Sequence, residues 1–115
     1  MPKLIYTPKA LDDLQGIKAY VARQFGESKA KSCTKEITST VKQLELFPGE
    51  GPCLEDLIEY PTDYHYLVVK SNYIFYRVEG DTVRVIRILN EKQDFLQLLF
   101  GISSISEEGE DYWGD

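Results

Sequence analysis

The stretch from Tyr64 to Gly101, YHYLVVKSNYIFYRVEGDTVRVIRILNEKQDFLQLLFG, constrains the fold of this chain more than any other segment. Three runs of β-branched and aromatic residues are separated by Lys70-Ser71-Asn72 and by Glu79-Gly80-Asp81-Thr82, both rich in turn-forming residues. Connections this short cannot carry a helical crossover, so the three strands are predicted to pair as an antiparallel meander. Alternation assigns Ile74, Tyr76 and Val78 to one face of the middle strand and Tyr73, Phe75 and Arg77 to the other. On the last strand it groups Val83, Val85, Arg87 and Leu89 against Arg84, Ile86 and Ile88. One face has to be covered by other elements, and the other is expected to form a shallow groove.

Arg77 and Arg87 stand inside these strands. A guanidinium in a largely apolar strand needs a carboxylate, an open groove or a bound anion, because burying it alone is costly. Glu79 or Asp94 is the expected acid for Arg77, and Asp94 for Arg87. Asp94 to Phe100 reads as a short amphipathic helix, and Phe95, Leu96, Leu98, Leu99 and Phe100 are too apolar to be left in water. It is expected to pack on the edge of the sheet.

Upstream, Leu4-Ile5-Tyr6 forms a short strand, and Thr7-Pro8 supplies an N-cap and a proline at the first helical position. Leu11, Leu14, Ile17, Val21 and Phe25 then recur at helical spacing, with Asp12 and Asp13 placed in the first turn, where the macrodipole favours acids. Gly26 ends this helix. A second follows, with Ala30, Cys33, Ile37, Val41, Leu44 and Phe47 on one face, and stops at Pro48-Gly49. The two make an antiparallel hairpin. Leu54, Leu57 and Ile58 anchor a short strand or turn in the connection to the meander. The fold class is therefore α+β: an antiparallel sheet of three meander strands plus an N-terminal strand, a helical hairpin on one face and a short C-terminal helix.

The 115 residues suit one domain, expected over 1–101, and an acidic tail over 102–115 whose acids and small residues show no period and which is expected to be disordered. The net charge of −6 is unevenly distributed, because residues 102–115 hold five acids and no base while the body holds 13 bases against 14 acids. A near-neutral body does not favour direct, high-affinity nucleic-acid binding. No long apolar run and no signal-peptide pattern is present, which makes a soluble cytoplasmic protein without membrane association the expectation. Cys33 and Cys53 lack metal-site spacing and are expected to be free thiols. With no glycine-rich nucleotide loop and no metal constellation, no cofactor is assigned.

Several of these segments together resemble the RelE/ParE superfamily of bacterial type II toxins. The carriers are Tyr6-Thr7-Pro8-Lys9-Ala10-Leu11-Asp12-Asp13-Leu14, Phe47-Pro48 with Gly51-Pro52, Tyr66-Leu67-Val68-Val69, Asn72 to Val78, and Arg87-Ile88-Leu89 through Asp94-Phe95-Leu96. The resemblance spans Leu4 to about Gly101. It implies a toxin held inactive by a cognate antitoxin, whose target is DNA gyrase in ParE-like members or, in RelE-like members, ribosome-bound messenger RNA.

The nuclease branch requires cations for the scissile phosphate and a group to move the proton of the 2′-hydroxyl. Arg77 and Arg87 match the strand arginines of the family. His65 stands where an arginine is common, Asn90 where His or Tyr is frequent, and Glu91-Lys92-Gln93 replaces the usual Gly-Arg-Arg. Asparagine does not titrate near neutral pH, so cleavage would fall to His65, Arg77 and Arg87. The long helical hairpin looks more like the gyrase-directed branch, for which Tyr73, Arg77, Arg87 and Lys92 are the binding candidates. Against each role stands a plainer one: ion pairing for the arginines, strand packing for His65 and Tyr73, solvation for Lys92. The favoured reading is gyrase interference. The alternatives are a ribosome-dependent endoribonuclease and an inactive toxin fold that only binds an antitoxin.

Overall fold

A computed structural model describes residues 2–101. The proposed domain limit at 101 and the expectation of a disordered tail concern 102–115, outside the described residues. The order of elements is β1 (Lys3–Tyr6), α1 (Pro8–Phe25), α2 (Glu27–Lys42), a 3-10 turn (Gln43–Glu45), α3 (Leu54–Ile58), β2 (His65–Val69), β3 (Asn72–Glu79), β4 (Thr82–Asn90) and α4 (Phe95–Phe100).

The meander forms as the turn residues dictate, with β2 antiparallel to β3 and β3 antiparallel to β4. The strand order is β1-β4-β3-β2, and β1 joins β4 in parallel. The α+β class is as expected, with one parallel pair at the edge of an otherwise antiparallel sheet.

Thr7 caps α1 by accepting from the Ala10 amide at 3.1 Å, and Pro8 occupies the first turn. The helix starts early enough that Asp12 and Asp13 fall beyond its first turn. Gly26, at φ 97°, provides the backbone reversal between α1 and α2. The segment around Leu54–Ile58 is a helical turn rather than a strand.

Two hydrophobic layers flank the sheet. Under the hairpin lie Ala10, Ile37, Val41, Leu44, Ile74, Tyr76, Val83, Val85 and Ile88. Each fully buried large side chain contributes about 1.5–3 kcal/mol relative to exposure. The apolar stripes fray at their ends, however: Leu11, Phe25 and Phe47 are exposed, Phe47 at 63%. The opposite face is covered, contrary to the expected groove. Leu54, Phe75 and Leu89 are buried there beneath Ile58, Phe95, Leu99 and Phe100, so α4 packs on the face of the sheet rather than on its edge.

Strict alternation fails in β4. Phe75 pairs with Arg87 but Tyr76 pairs with Val85, leaving Ile86 as the extra residue of a β-bulge. The bulge reverses the facing of everything after it. Val83, Val85 and Ile88 therefore share the hairpin layer, and Leu89 joins Phe75 on the α4 side.

Candidate functional site

The α4 face of the sheet carries most of the residues singled out by sequence. Tyr73 stacks on Phe75 at 5.8 Å between ring centroids, and Phe95 from α4 touches both, at 5.4 and 5.2 Å. Tyr66 lies beside Tyr73 at 6.0 Å, while Tyr64 meets Phe100 at 5.5 Å. Such rings supply contact area with few rotatable bonds, which suits a protein-binding surface.

Arg77 and Arg87 border this aromatic layer with Tyr64 near both. The Arg77 guanidinium carbon stands 5.8 Å from the Tyr64 ring centroid. Its Nη2 bonds Asp63 Oδ2 at 3.1 Å and its Nη1 lies 3.4 Å from Glu79, which also holds Arg84 at 3.0 Å. The hydrogen bond to Asp63 raises the Arg77 pKa, leaving its charge permanent. Glu79 was legible as a partner; Asp63 was not, since it lies in the loop before β2 and meets Arg77 only through strand pairing.

Arg87 is more enclosed. Its Nε and Nη2 donate to both oxygens of Asp13 at 2.7 and 2.9 Å, and the two side chains retain 15% and 13% of their exposure. The hydrogen bond to Asp13 is the main reason that the Arg87 pKa is raised. Asp13 also accepts from the Ile88 amide at 2.9 Å. The reason is geometric: β1 ends at Tyr6, so the edge of β4 beyond Val85 has no strand neighbour. Thr7 and Asp13 at the start of α1 take over, Thr7 donating from its hydroxyl to the Ile86 carbonyl at 2.8 Å. Asp94, the acid expected at Arg87, accepts from the Gln97 amide at 3.3 Å and caps α4.

His65 lies on the hairpin side. It stacks on Tyr76 at 5.3 Å, and Nδ1 sits 2.9 Å from the Gly51 carbonyl, which requires that nitrogen to carry the proton and donate. Sequence reasoning missed the lock around it. The Gly51 amide donates to the Tyr76 hydroxyl at 2.9 Å, and a Cβ at Gly51 would collide with the Tyr66 carbonyl and, at 2.7 Å, with the Tyr76 hydroxyl. The Gly51-Pro52 pair was a visible signal; its contact with the third strand was not. Lys92 belongs to the β4–α4 turn, where its amide donates to Asn90 Oδ1 at 3.0 Å. It lines a cleft of about 580 Å³ with Tyr20, Cys33, Asn72 and Glu91.

The fold thus places Tyr73, Arg77 and Arg87 on one face, His65 on the other, and Lys92 at one end. No group of metal-binding side chains occurs among the described residues, and none of their helices is long and apolar enough to cross a membrane.

A layered α+β fold of this order has a solved counterpart described as "Chromosomal ParDE TA system from P. aeruginosa". The likeness has a TM-score of 0.68 and 26% sequence identity, covering 78% of this chain and 96% of that one. No curated protein matches this chain. Residues 4–95 match the family described as ParE toxin of type II toxin-antitoxin system, parDE, and the chain belongs to that family.

Proposed function

We propose that this toxin arrests bacterial growth by binding DNA gyrase, and that a cognate antitoxin neutralises it across the aromatic α4 face. The observation that carries the reading is the state of its ionisable groups. Arg87 is closed by Asp13 and Arg77 is shared between Asp63 and Glu79, while His65 stands on the other side of the sheet. Cleavage of RNA requires a cation and a proton carrier to converge on one phosphate. Interference with a protein target requires only a surface, and the layer built on Tyr64, Tyr66, Tyr73 and Phe95 provides one.

Growth arrest on induction, relieved by coexpressing the neighbouring small gene, is the expected behaviour in cells. Purified protein should inhibit gyrase supercoiling and leave ribosome-bound message intact. Message cleavage without supercoiling inhibition would replace gyrase with the ribosome as target and make the chain an endoribonuclease.

A further inference from the structure

The charge of this chain is sorted by element. Residues 8–42, the hairpin, carry seven bases and four acids; residues 43–101 carry five bases and ten acids. Two hairpin acids are drawn toward the sheet, Asp13 by Arg87 and Glu36 by Lys70 at 3.7 Å. What remains on the solvent side is basic. There, between α1 and α2, lies a groove of about 310 Å³ lined by Leu14, Lys18, Lys31, Thr34, Lys35 and Thr38, with no carboxylate. None of its three lysines has an ion pair among the described residues. Lys31 and Lys35 are four apart on one helix, a spacing at which like charges repel. Both threonines turn their hydroxyl protons to the carbonyl one turn back, at 3.1 Å, so the ammonium groups are the donors left for a ligand.

We propose that this groove holds the acidic C-terminal segment of the same chain, Glu107–Asp115, EEGEDYWGD. Charge complementarity is the first argument: the segment has five carboxylates and no base. Position is the second. Leu98 and Leu99 of α4 share a small pocket with Thr7, Pro8 and Lys9 at the start of α1, so the described chain ends beside the hairpin. From Gly101, six residues reach Glu107 and span up to about 20 Å when extended. The path along α1 from Lys9 to Lys18 is about 14 Å. A tethered segment also has an effective concentration in the millimolar range, which favours it over acidic ligands in solution. A nucleic acid is the poorer fit, because the body outside this segment is near neutral, with 13 bases against 14 acids. A partner that presents carboxylates to the hairpin must displace this segment.

Trp113 is the sole tryptophan and reports on the segment directly. In the full chain, its fluorescence anisotropy should fall by about half between low salt and roughly 0.5 M NaCl, where the Debye length shrinks to about 4 Å. The Lys31→Glu/Lys35→Glu variant, with Glu retaining helix propensity, should show the low value at low salt and an unchanged far-ultraviolet spectrum. Adding Glu107→Lys, Glu108→Lys and Glu110→Lys to that variant should restore the high value. Equal anisotropy in wild type and the double-glutamate variant overturns the proposal. So does an anisotropy that rises with protein concentration, which would mean a second copy's tail, or an oligonucleotide binding the groove while Trp113 stays unchanged.

Discussion

Asp13 accepts from two nitrogens of Arg87 and from the Ile88 amide, so its loss strands a mostly buried guanidinium and a strand-edge N–H together. Asp13→Ala is expected to cost about 2–4 kcal/mol in urea unfolding. Adding Arg87→Ala should cost less than the sum of the two single changes, because the second removes the charge that the first orphaned. Additive effects would show that the pair is not coupled. Gly51→Ala should also cost about 2–4 kcal/mol, because the colliding Tyr66 carbonyl is backbone and cannot swing aside. Burial is the main cause raising the Tyr76 hydroxyl above its ordinary 10.0, and burial raises Tyr6 likewise. A raised folded-state pKa favours the protonated form, so this contribution is complete below about pH 10 and is lost as pH rises through the folded value. A thermal midpoint that is level to about pH 9.5 and falls beyond it is expected, and Tyr6→Phe/Tyr76→Phe should flatten the fall; a level wild-type profile up to about pH 11 would contradict the account.

At the scale of elements, β4 and α4 decide which residues become surface. Ile86 is the extra residue that lets Val85 and Ile88 both face the hairpin and Leu89 face α4. Deleting Ile86 joins Val85 to Arg87 opposite Tyr76 and Phe75, so plain alternation keeps Arg87, Ile88 and Leu89 on the faces they already occupy, and a cooperative thermal transition is expected from that variant. Loss of the cooperative transition would mean that the bulge itself is required, through the Ile86 carbonyl that the Thr7 hydroxyl holds at the start of α1. Helix α4 is short and rests chiefly on aromatic contacts, with Phe95 placed against Tyr73 and Phe75. Phe95→Ala should cost about 1–3 kcal/mol and raise hydrogen exchange in α4 well before the meander loses protection, since the hairpin layer is untouched. Equal loss of protection in both would show that the two layers unfold as one.

At the scale of the molecule, the sheet separates two kinds of surface. The hairpin side is polar and basic, and the α4 side is aromatic with its arginines paired to acids. A protein-directed toxin tolerates loss of a lone titratable group that a nuclease cannot spare. His65→Gln, if its thermal midpoint shows it folded, should therefore keep wild-type growth arrest on induction; a drop in toxicity of about a hundredfold or more would instead assign His65 to proton transfer.

The strands, the hairpin and their caps were legible from sequence because they depend on neighbours within a few residues: turn residues at Gly80, the Thr7-Pro8 cap, and apolar spacing along α1 and α2. Arg77 and Arg87 were legible as residues in need of partners, because desolvation acts on any guanidinium in an apolar strand. The partner of Arg87 stood 74 positions away, and the bulge at Ile86, the Gly51–Tyr76 lock and the packing of α4 on the sheet face all join distant segments. Local periodicity carries no record of such pairings. They exist only once two layers close on one sheet and each buried polar group has to find a partner in three dimensions.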